Sequence, residues 1–131
     1  MEAFSAAVLT HLLVVSDPSA SKDWYMRVLD ASVYGEYGTS VVLQLADSWF
    51  LLVEGGKPTP DKPTVTFAPT KDPDVVNSEV IFRVEDCWET HRLLKSRGAE
   101  FLTDPYDWGG EVRAFFRDPN GHLFEISQRR G

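Results

Sequence analysis

Two glutamates stand where the sequence otherwise has the apolar character of buried strands. Glu125 lies between two large apolar residues, and Glu79 directly precedes a strand-like run in which it would share a face with Ile81 and Arg83. Because successive side chains of a strand point to opposite faces, Glu125 is predicted to lie opposite its apolar neighbours. Such a carboxylate either does chemistry in a cleft or pairs with a cation such as Arg83 or Arg113, whereas Glu79 could also be a solvated residue at a strand end.

The other residues that could do chemistry have simpler interpretations. Cys87 is the only cysteine, and acidic neighbours oppose any lowering of its pKa by the predicted helix it begins, so an inert thiol is expected. His91 is predicted to pack on the apolar face of that helix, and His122 to lie at the surface after a tight turn. Trp108 precedes two glycines, where it could either close over a ligand or pin its loop.

Composition excludes several classes of protein. The chain has 131 residues and a formal charge of −7, which argues against a nucleic-acid-binding protein. Its apolar runs are far shorter than the roughly 20 residues that a membrane helix needs, and its N-terminus has no basic signal region. We therefore expect a cytoplasmic protein with no membrane partner, and a single cysteine allows no disulfide within the chain.

The predicted strands and helices that would position these residues occur twice along the chain, in the same order. Each copy has a strand, a helix that begins at an aspartate, and a further strand, and the offset between Asp17 and Asp86 differs by only one residue from that between Val33 and Phe101. Two more predicted strands follow in each copy. The sequence thus predicts two βαβββ modules, about residues 7–54 and 77–128, joined by a linker that holds five of the eight prolines.

Four motifs give this arrangement a resemblance. They are V-x-D-x-x-x-S-x-x-W-Y at 15–25, F-R-V-x-D at 82–86, R-G-A-E-F at 97–101 and R-D-P-N-G-H-x-x-E at 117–125. Together they resemble the vicinal oxygen chelate superfamily of glyoxalases, extradiol dioxygenases, fosfomycin-resistance transferases and bleomycin-resistance proteins. The resemblance implies an α+β fold, in which each module forms a partial barrel and the two enclose a cleft, and it implies a homodimer.

The resemblance also implies a divalent metal held by residues of the first, fourth, fifth and eighth strands. The eighth-strand ligand falls on Glu125, and the fifth on Glu79, where the enzymes usually have histidine. The first-strand position falls on either Thr10 or His11, and the fourth strand, 49–53, offers only apolar groups. With His11, the three residues would suit Mn, Fe, Ni or Zn, whereas Thr10 at this position would leave a weak metal site or none.

Two functions remain open, with a preference for the first. One is a metal-dependent lyase, isomerase or dioxygenase that acts on a small molecule with vicinal oxygens, with Glu79 and Glu125 as catalytic carboxylates. Arg83, Trp108 and Arg113 are predicted to contact its substrate. The alternative is a metal-free binding protein of the bleomycin-resistance type, whose acidic, tryptophan-lined cleft would hold a cationic or aromatic molecule. A dimeric scaffold without a ligand is a third class.

Overall fold

The computed structural model describes residues 2–130, which form two compact units. The first unit holds the chain up to Pro69 except residues 27–29, and the second holds those three residues and the chain from Thr70 onward. Each unit carries one open sheet, so the predicted α+β class is confirmed. Across residues 2–130, we find no helix with the length and apolar character needed to cross a membrane.

The first unit follows the predicted βαβββ order. Its elements are β1 (Thr10–Val14), α1 (Pro18–Leu29, ending in the second unit), β2 (Ser32–Glu36), β3 (Ser40–Leu45) and β4 (Ser48–Val53). The strands lie in the order β1-β4-β3-β2, with β1 parallel to β4 and the other pairs antiparallel.

The second unit repeats this order with one small addition. Its elements are β5 (Val80–Arg83), α2 (Cys87–Ser96), β6 (Glu100–Phe101), β7 (Tyr106–Asp107), β8 (Glu111–Arg117) and β9 (Leu123–Arg129). The sheet order is β5-β9-β8-β6, with β5 parallel to β9. The short strand β7, which the sequence pattern did not predict, pairs with β8 and leads into the turn that carries Trp108.

Both helices begin where the sequence predicts. The side chain of Asp17 accepts hydrogen bonds from the backbone N–H groups of Ser19 and Ala20 at 3.1 and 3.2 Å, and Pro18 is the first helical residue of α1. The side chain of Asp86 caps α2 by accepting a 3.0 Å bond from the N–H of Glu89. These caps satisfy N–H groups that the helix itself leaves without partners.

The two faces of the second sheet differ sharply in chemistry. The face that contacts α2 carries an apolar core of five β8 and β9 side chains that are at most 1% exposed: Val112, Ala114, Phe116, Phe124 and Ile126. The opposite face, called here the open face, carries Glu111, Arg113, Phe115 and Arg117 from β8, Leu123, Glu125 and Ser127 from β9, and Ile81 and Arg83 from β5. As predicted, the alternation of side chains along β9 places Glu125 on the open face, away from its apolar neighbours.

Candidate acid–base site

Glu125 lies in the middle of the open face, with an apolar residue beside it on each neighbouring strand. It is paired with Ile81 of β5 on one side and with Phe115 of β8 on the other. The side chain is almost completely buried, because Glu125 is only 4% exposed. An ionised carboxylate in such surroundings loses much of its hydration, so the protonated form is favoured.

A second carboxyl group shares this environment. Glu79 precedes β5, and its side chain is hydrogen-bonded to that of Glu125. Burial, first, and then the hydrogen bond and the charge of Glu79 raise the pKa of Glu125 to about 7, although Arg113 partly opposes the shift. The other oxygen of the Glu79 carboxyl group, Oε2, is buried and has no hydrogen-bond partner within residues 2–130. The two groups therefore form a carboxyl pair that gains or loses a proton near neutral pH.

Next to Glu125, the open face carries four connected polar residues, called here the polar cluster: Arg83, Glu111, Arg113 and Ser127. Ser127, which is fully buried, accepts a 2.9 Å hydrogen bond from Arg83 and donates one of 2.9 Å to Glu111. Arg83 and Arg113 also lie 3.3 and 3.6 Å from carboxylate oxygens of Glu111. The hydrogen bond from Ser127, followed by the contacts of the two arginines, lowers the pKa of Glu111. Glu111 is thus the ionised partner of these cations, and Glu125 is not.

Trp108 joins this arrangement through Arg113. The guanidinium carbon of Arg113 lies 5.2 Å from the centroid of the Trp108 ring and 5.3 Å from that of Phe115, so the cation stands against two aromatic rings. Trp108 also contacts Tyr106 at 4.7 Å between centroids, and it is 61% exposed. The structure therefore places all three predicted substrate contacts, Arg83, Trp108 and Arg113, around one polar cluster near Glu125.

An open cavity of about 510 Å³ adjoins the carboxyl pair. It is lined by Glu79 and by Val76, Asn77, Ser78, Phe115 and Leu123. This volume is in the range of small-molecule sites. A buried acid–base pair at the edge of a cavity of this size has the arrangement of a site that acts on a small ligand.

Comparison with known proteins places the fold in a family. The sequence signature of the Glyoxalase/Bleomycin resistance protein/Dioxygenase superfamily matches residues 7–126, nearly the whole chain. The chain belongs to this superfamily. The predicted resemblance is therefore confirmed.

Individual relatives within the superfamily are distant. The Bacillus subtilis protein YetH, uncharacterized in function, is 30% identical over 60 residues, which cover 44% of this chain and 48% of YetH. The chain thus matches about half the length of this curated relative. A glyoxalase/bleomycin resistance protein/dioxygenase structure from Nocardioides has a TM-score of 0.77 and 18% identity, covering 94% of this chain and 83% of that chain. A lactoylglutathione lyase structure from Agrobacterium tumefaciens has a TM-score of 0.65 and 15% identity, covering 94% and 93%.

His11, one of the two candidates for the first-strand ligand, lies on the helix side of its own sheet. Its ring stacks on Phe50 at 5.6 Å between centroids, and Phe50 in turn contacts Tyr25 of α1. The pairing of β1 with β4 runs from Thr10 to Val14 without a register shift, so the bulge that would turn His11 to the other face is not present there. Strand alternation gives that other face to Thr10. The register therefore favours the Thr10 alternative.

The donor set fits only part of a metal site. The free oxygen of Glu79 could accept a cation as well as a proton, and Glu125 would add a second carboxylate. Protein-bound divalent metals usually have three or more protein ligands, and residues 2–130 contain no group of three His, Cys, Asp or Glu side chains placed to hold one. The predicted binding of Mn, Fe, Ni or Zn stays a prediction.

Cys87 and His91 pack in the core of the second unit as the sequence suggests. Cys87 is fully buried, and burial raises the pKa of its thiol to about 11, with Asp86 and Glu125 adding to the shift. The ring of His91 lies 4.4 Å from that of Phe101, and burial lowers the pKa of His91 despite the nearby Asp104.

Several residues of this site were not predicted from the sequence. Glu111 and Ser127 complete the polar cluster, and Asn77 lines the cavity. A signal for the first two was available, because Glu111 shares the β8 alternation with Arg113, and Ser127 shares that of β9 with Glu125. Asn77 follows no such periodicity, since it lies outside the strands and helices.

Proposed function

We propose that this member of the superfamily is an enzyme that moves a proton on a small molecule with two neighbouring oxygens, as a lyase or isomerase. The observation that carries the proposal is the hydrogen-bonded pair of Glu79 and Glu125 beside the cavity. The superfamily membership supports a small-molecule substrate.

The protonation state of the pair suits this role. A general acid or base works best when its pKa lies near the working pH, and the pKa of Glu125 is raised to about 7. Near pH 7 the Glu125 carboxyl group is therefore present in both forms, the ionised form as a base and the protonated form as an acid. The same pair can then return a proton to the substrate, because it stays in place through the reaction.

The proposed step breaks a C–H bond next to a carbonyl group. The pair takes the proton, and the electrons of the C–H bond move into the carbonyl to give an enolate. Return of the proton to the same carbon regenerates the substrate. Its delivery to the former carbonyl carbon, with transfer of the hydroxyl proton to the oxygen on that carbon, gives the isomeric hydroxycarbonyl compound. A hydroxyl group on the carbon that loses the proton supplies the second of the two neighbouring oxygens.

Hydrogen–deuterium exchange into such compounds tests the proposal directly. The protein would be incubated in deuterated buffer with 2-hydroxyacetophenone, lactaldehyde or dihydroxyacetone, and loss of the C–H signal followed by proton NMR. We expect the protein to accelerate exchange of at least one compound, and Glu125→Gln to slow it about 100-fold or more. Glu85→Gln, which changes an exposed glutamate beyond the end of β5, is the matched control and should have no effect. Unchanged exchange in Glu125→Gln, or no acceleration of any compound, would contradict the proposal.

A metal-free binding function is the second candidate, favoured by the exposed Trp108 ring, which contacts Arg113 and Tyr106. The arginine at this surface favours an aromatic anion over the cationic ligand expected from net charge. Quenching of tryptophan fluorescence by 1-naphthoate, lost in Trp108→Phe, would support this candidate. Equal quenching in both proteins would exclude Trp108 as the contact.

The homodimer implied by the superfamily is also part of the proposal. Light scattering on the purified chain should then give a mass about twice the 14.8 kDa of one chain. A mass equal to that of one chain across micromolar concentrations would contradict it.

A further inference from the structure

The segment of residues 70–79, called here the strap, is bound to the second sheet at its centre. The contacts of Arg117 with Pro73 and Asp74, called here the clasp, hold it there. Arg117 of β8 donates a 2.7 Å hydrogen bond to the backbone oxygen of Pro73, and its other terminal nitrogen lies 2.7 Å from a carboxylate oxygen of Asp74. The turn before β9 also lies close to the strap, since a Cβ atom added at Gly121 would lie 3.1 Å from the Cβ of Pro73. The strap has no strand or helix of its own, so these contacts fix its course.

Beyond this clasp, the strap becomes a wall of the cavity. Val76, Asn77 and Ser78 line it and lead directly to Glu79 of the carboxyl pair. Phe115 and Leu123 of the open face supply the other lining residues. The strap therefore brings an asparagine and a serine to the lining of the cavity that also holds Glu79.

The chemistry of this lining is selective. Asn77 and Ser78 offer uncharged donors, Val76, Phe115 and Leu123 offer apolar contacts, and Glu79 is the one ionisable residue among those lining the cavity. An anionic ligand would face Glu79 without a lining cation, which makes its desolvation unfavourable. A carbonyl or hydroxyl oxygen can instead accept a hydrogen bond from the amide or the hydroxyl.

We propose that Asn77 and Ser78 are substrate-contacting residues that bind the oxygens of an uncharged hydroxycarbonyl compound, and that Arg117 is a positioning residue that holds them there through the strap. This inference rests on the proposed function, because it names the substrate class of the same site. When the enolate forms, the two donors face an oxygen that has become more negative, so their hydrogen bonds strengthen in that step.

Binding of two probes of similar size tests the substrate class. Full-length protein would be titrated by NMR with 2-hydroxyacetophenone, which is uncharged, and with benzoate, which is an anion. We expect 2-hydroxyacetophenone to shift the amide signals of Asn77 and Ser78, and benzoate to shift these same two signals with an affinity at least about ten-fold weaker. Equal affinity for benzoate, or no binding of the uncharged probe, would overturn the inference.

Variants of the strap and its clasp test the residue assignments. Asn77→Ala and Ser78→Ala should each weaken binding of 2-hydroxyacetophenone about three- to ten-fold, as expected for one lost hydrogen bond. Arg117→Ala should weaken it by a similar factor, and Arg117→Lys, which keeps a donor for Pro73 and a charge for Asp74, should restore most of it. Arg92→Ala, which removes the α2 ion pair with Glu89, is the matched control and should leave affinity unchanged.

The outcomes separate this inference from the proposed function. If the strap variants weaken binding while Glu125→Gln leaves deuterium exchange unchanged, the binding inference stands and the acid–base proposal fails. If Glu125→Gln abolishes exchange while Asn77→Ala, Ser78→Ala and Arg117→Ala bind the probe like the wild type, the acid–base proposal stands and this inference fails.

Discussion

The carboxyl groups of Glu79 and Glu125 are hydrogen-bonded to each other at the edge of a cavity, and Glu125 is only 4% exposed. Two carboxylates in contact repel each other when both are ionised, so Glu125 keeps its proton until the pH approaches about 7. Glu111, by contrast, contacts Arg83 and Arg113, and these contacts favour its ionised form. This division of roles between neighbouring glutamates is the basis of the proposed chemistry.

Replacing Glu125 by glutamine should stabilise the protein more at high pH than at low pH. The pKa of Glu125 is raised in the folded protein to about 7, above its ordinary value of 4.5, so its ionisation opposes folding. This cost is absent below about pH 4.5, grows as the pH rises, and is complete above about pH 7. The unfolding free energy of Glu125→Gln minus that of wild type should therefore rise from pH 4.5 to pH 8. After allowance for screening by water, we expect this rise to be on the order of 1 to 2 kcal/mol.

Urea unfolding at pH 4.5, 6 and 8 measures this difference. Glu85→Gln, at an exposed position, is the control and should differ from wild type by the same small amount at each pH. A pH-independent difference for Glu125→Gln would show that burial of the carboxyl group does not oppose its ionisation.

Removing the hydroxyl group of Ser127 should destabilise the polar cluster on the open face. This buried hydroxyl bonds both Arg83 and Glu111, so Ser127→Ala should lower the unfolding free energy by about 1 to 3 kcal/mol. Ser96→Ala, which removes a hydroxyl bonded only within α2, should cost about 0.5 kcal/mol or less. Chemical denaturation of both variants gives the comparison, and equal losses would contradict a structural role for the cluster.

Cys87 should resist alkylation in the folded protein. Burial, with Asp86 and Glu125 adding to the effect, raises the pKa of its thiol to about 11, so the reactive thiolate is scarce at pH 8. Mass spectrometry after brief treatment with iodoacetamide should find an unmodified chain, and full modification once urea is added. Rapid modification of the native protein would show that the thiol is accessible.

Divalent metals should bind more weakly than micromolar. The carboxyl pair supplies two ligands, and His11 lies on the helix side of its sheet, against Phe50. Calorimetric titration of chelator-treated protein with Mn, Fe, Ni and Zn should give similarly weak signals in wild type and Glu125→Ala. Micromolar binding near one metal per chain, lost in Glu125→Ala, would restore the metal-dependent interpretation.

The sequence predicted the fold well because its signals are local. The caps Asp17 and Asp86 and the repeated spacing of strands and helices determine element types within each unit. Strand alternation was also enough to place Glu125 on the polar face, since its apolar neighbours must face α2. The superfamily assignment followed from motifs in these same elements.

The carboxyl pair could not be predicted in the same way. The contact between Glu79 and Glu125 depends on the parallel pairing of β5 with β9, which are far apart in sequence, and the raised pKa of Glu125 depends on its burial and on Glu79. The face of His11 depended on whether β1 has a bulge, which no residue type there signals. Such features follow from tertiary packing rather than from local pattern.

Titration of the Glu125 carboxyl carbon by NMR directly tests whether Glu79 and Glu125 form an acid–base pair. Protein carrying ¹³C-labelled glutamate would be followed from pH 3 to 9, with Glu125→Gln assigning the signal. We expect a midpoint near 7 in the wild type, and a lower midpoint in Glu79→Gln because the charge of Glu79 is removed. A midpoint near 4.5 in the wild type, unchanged in Glu79→Gln, would contradict the proposed acid–base pair, because the two carboxyl groups would then not interact.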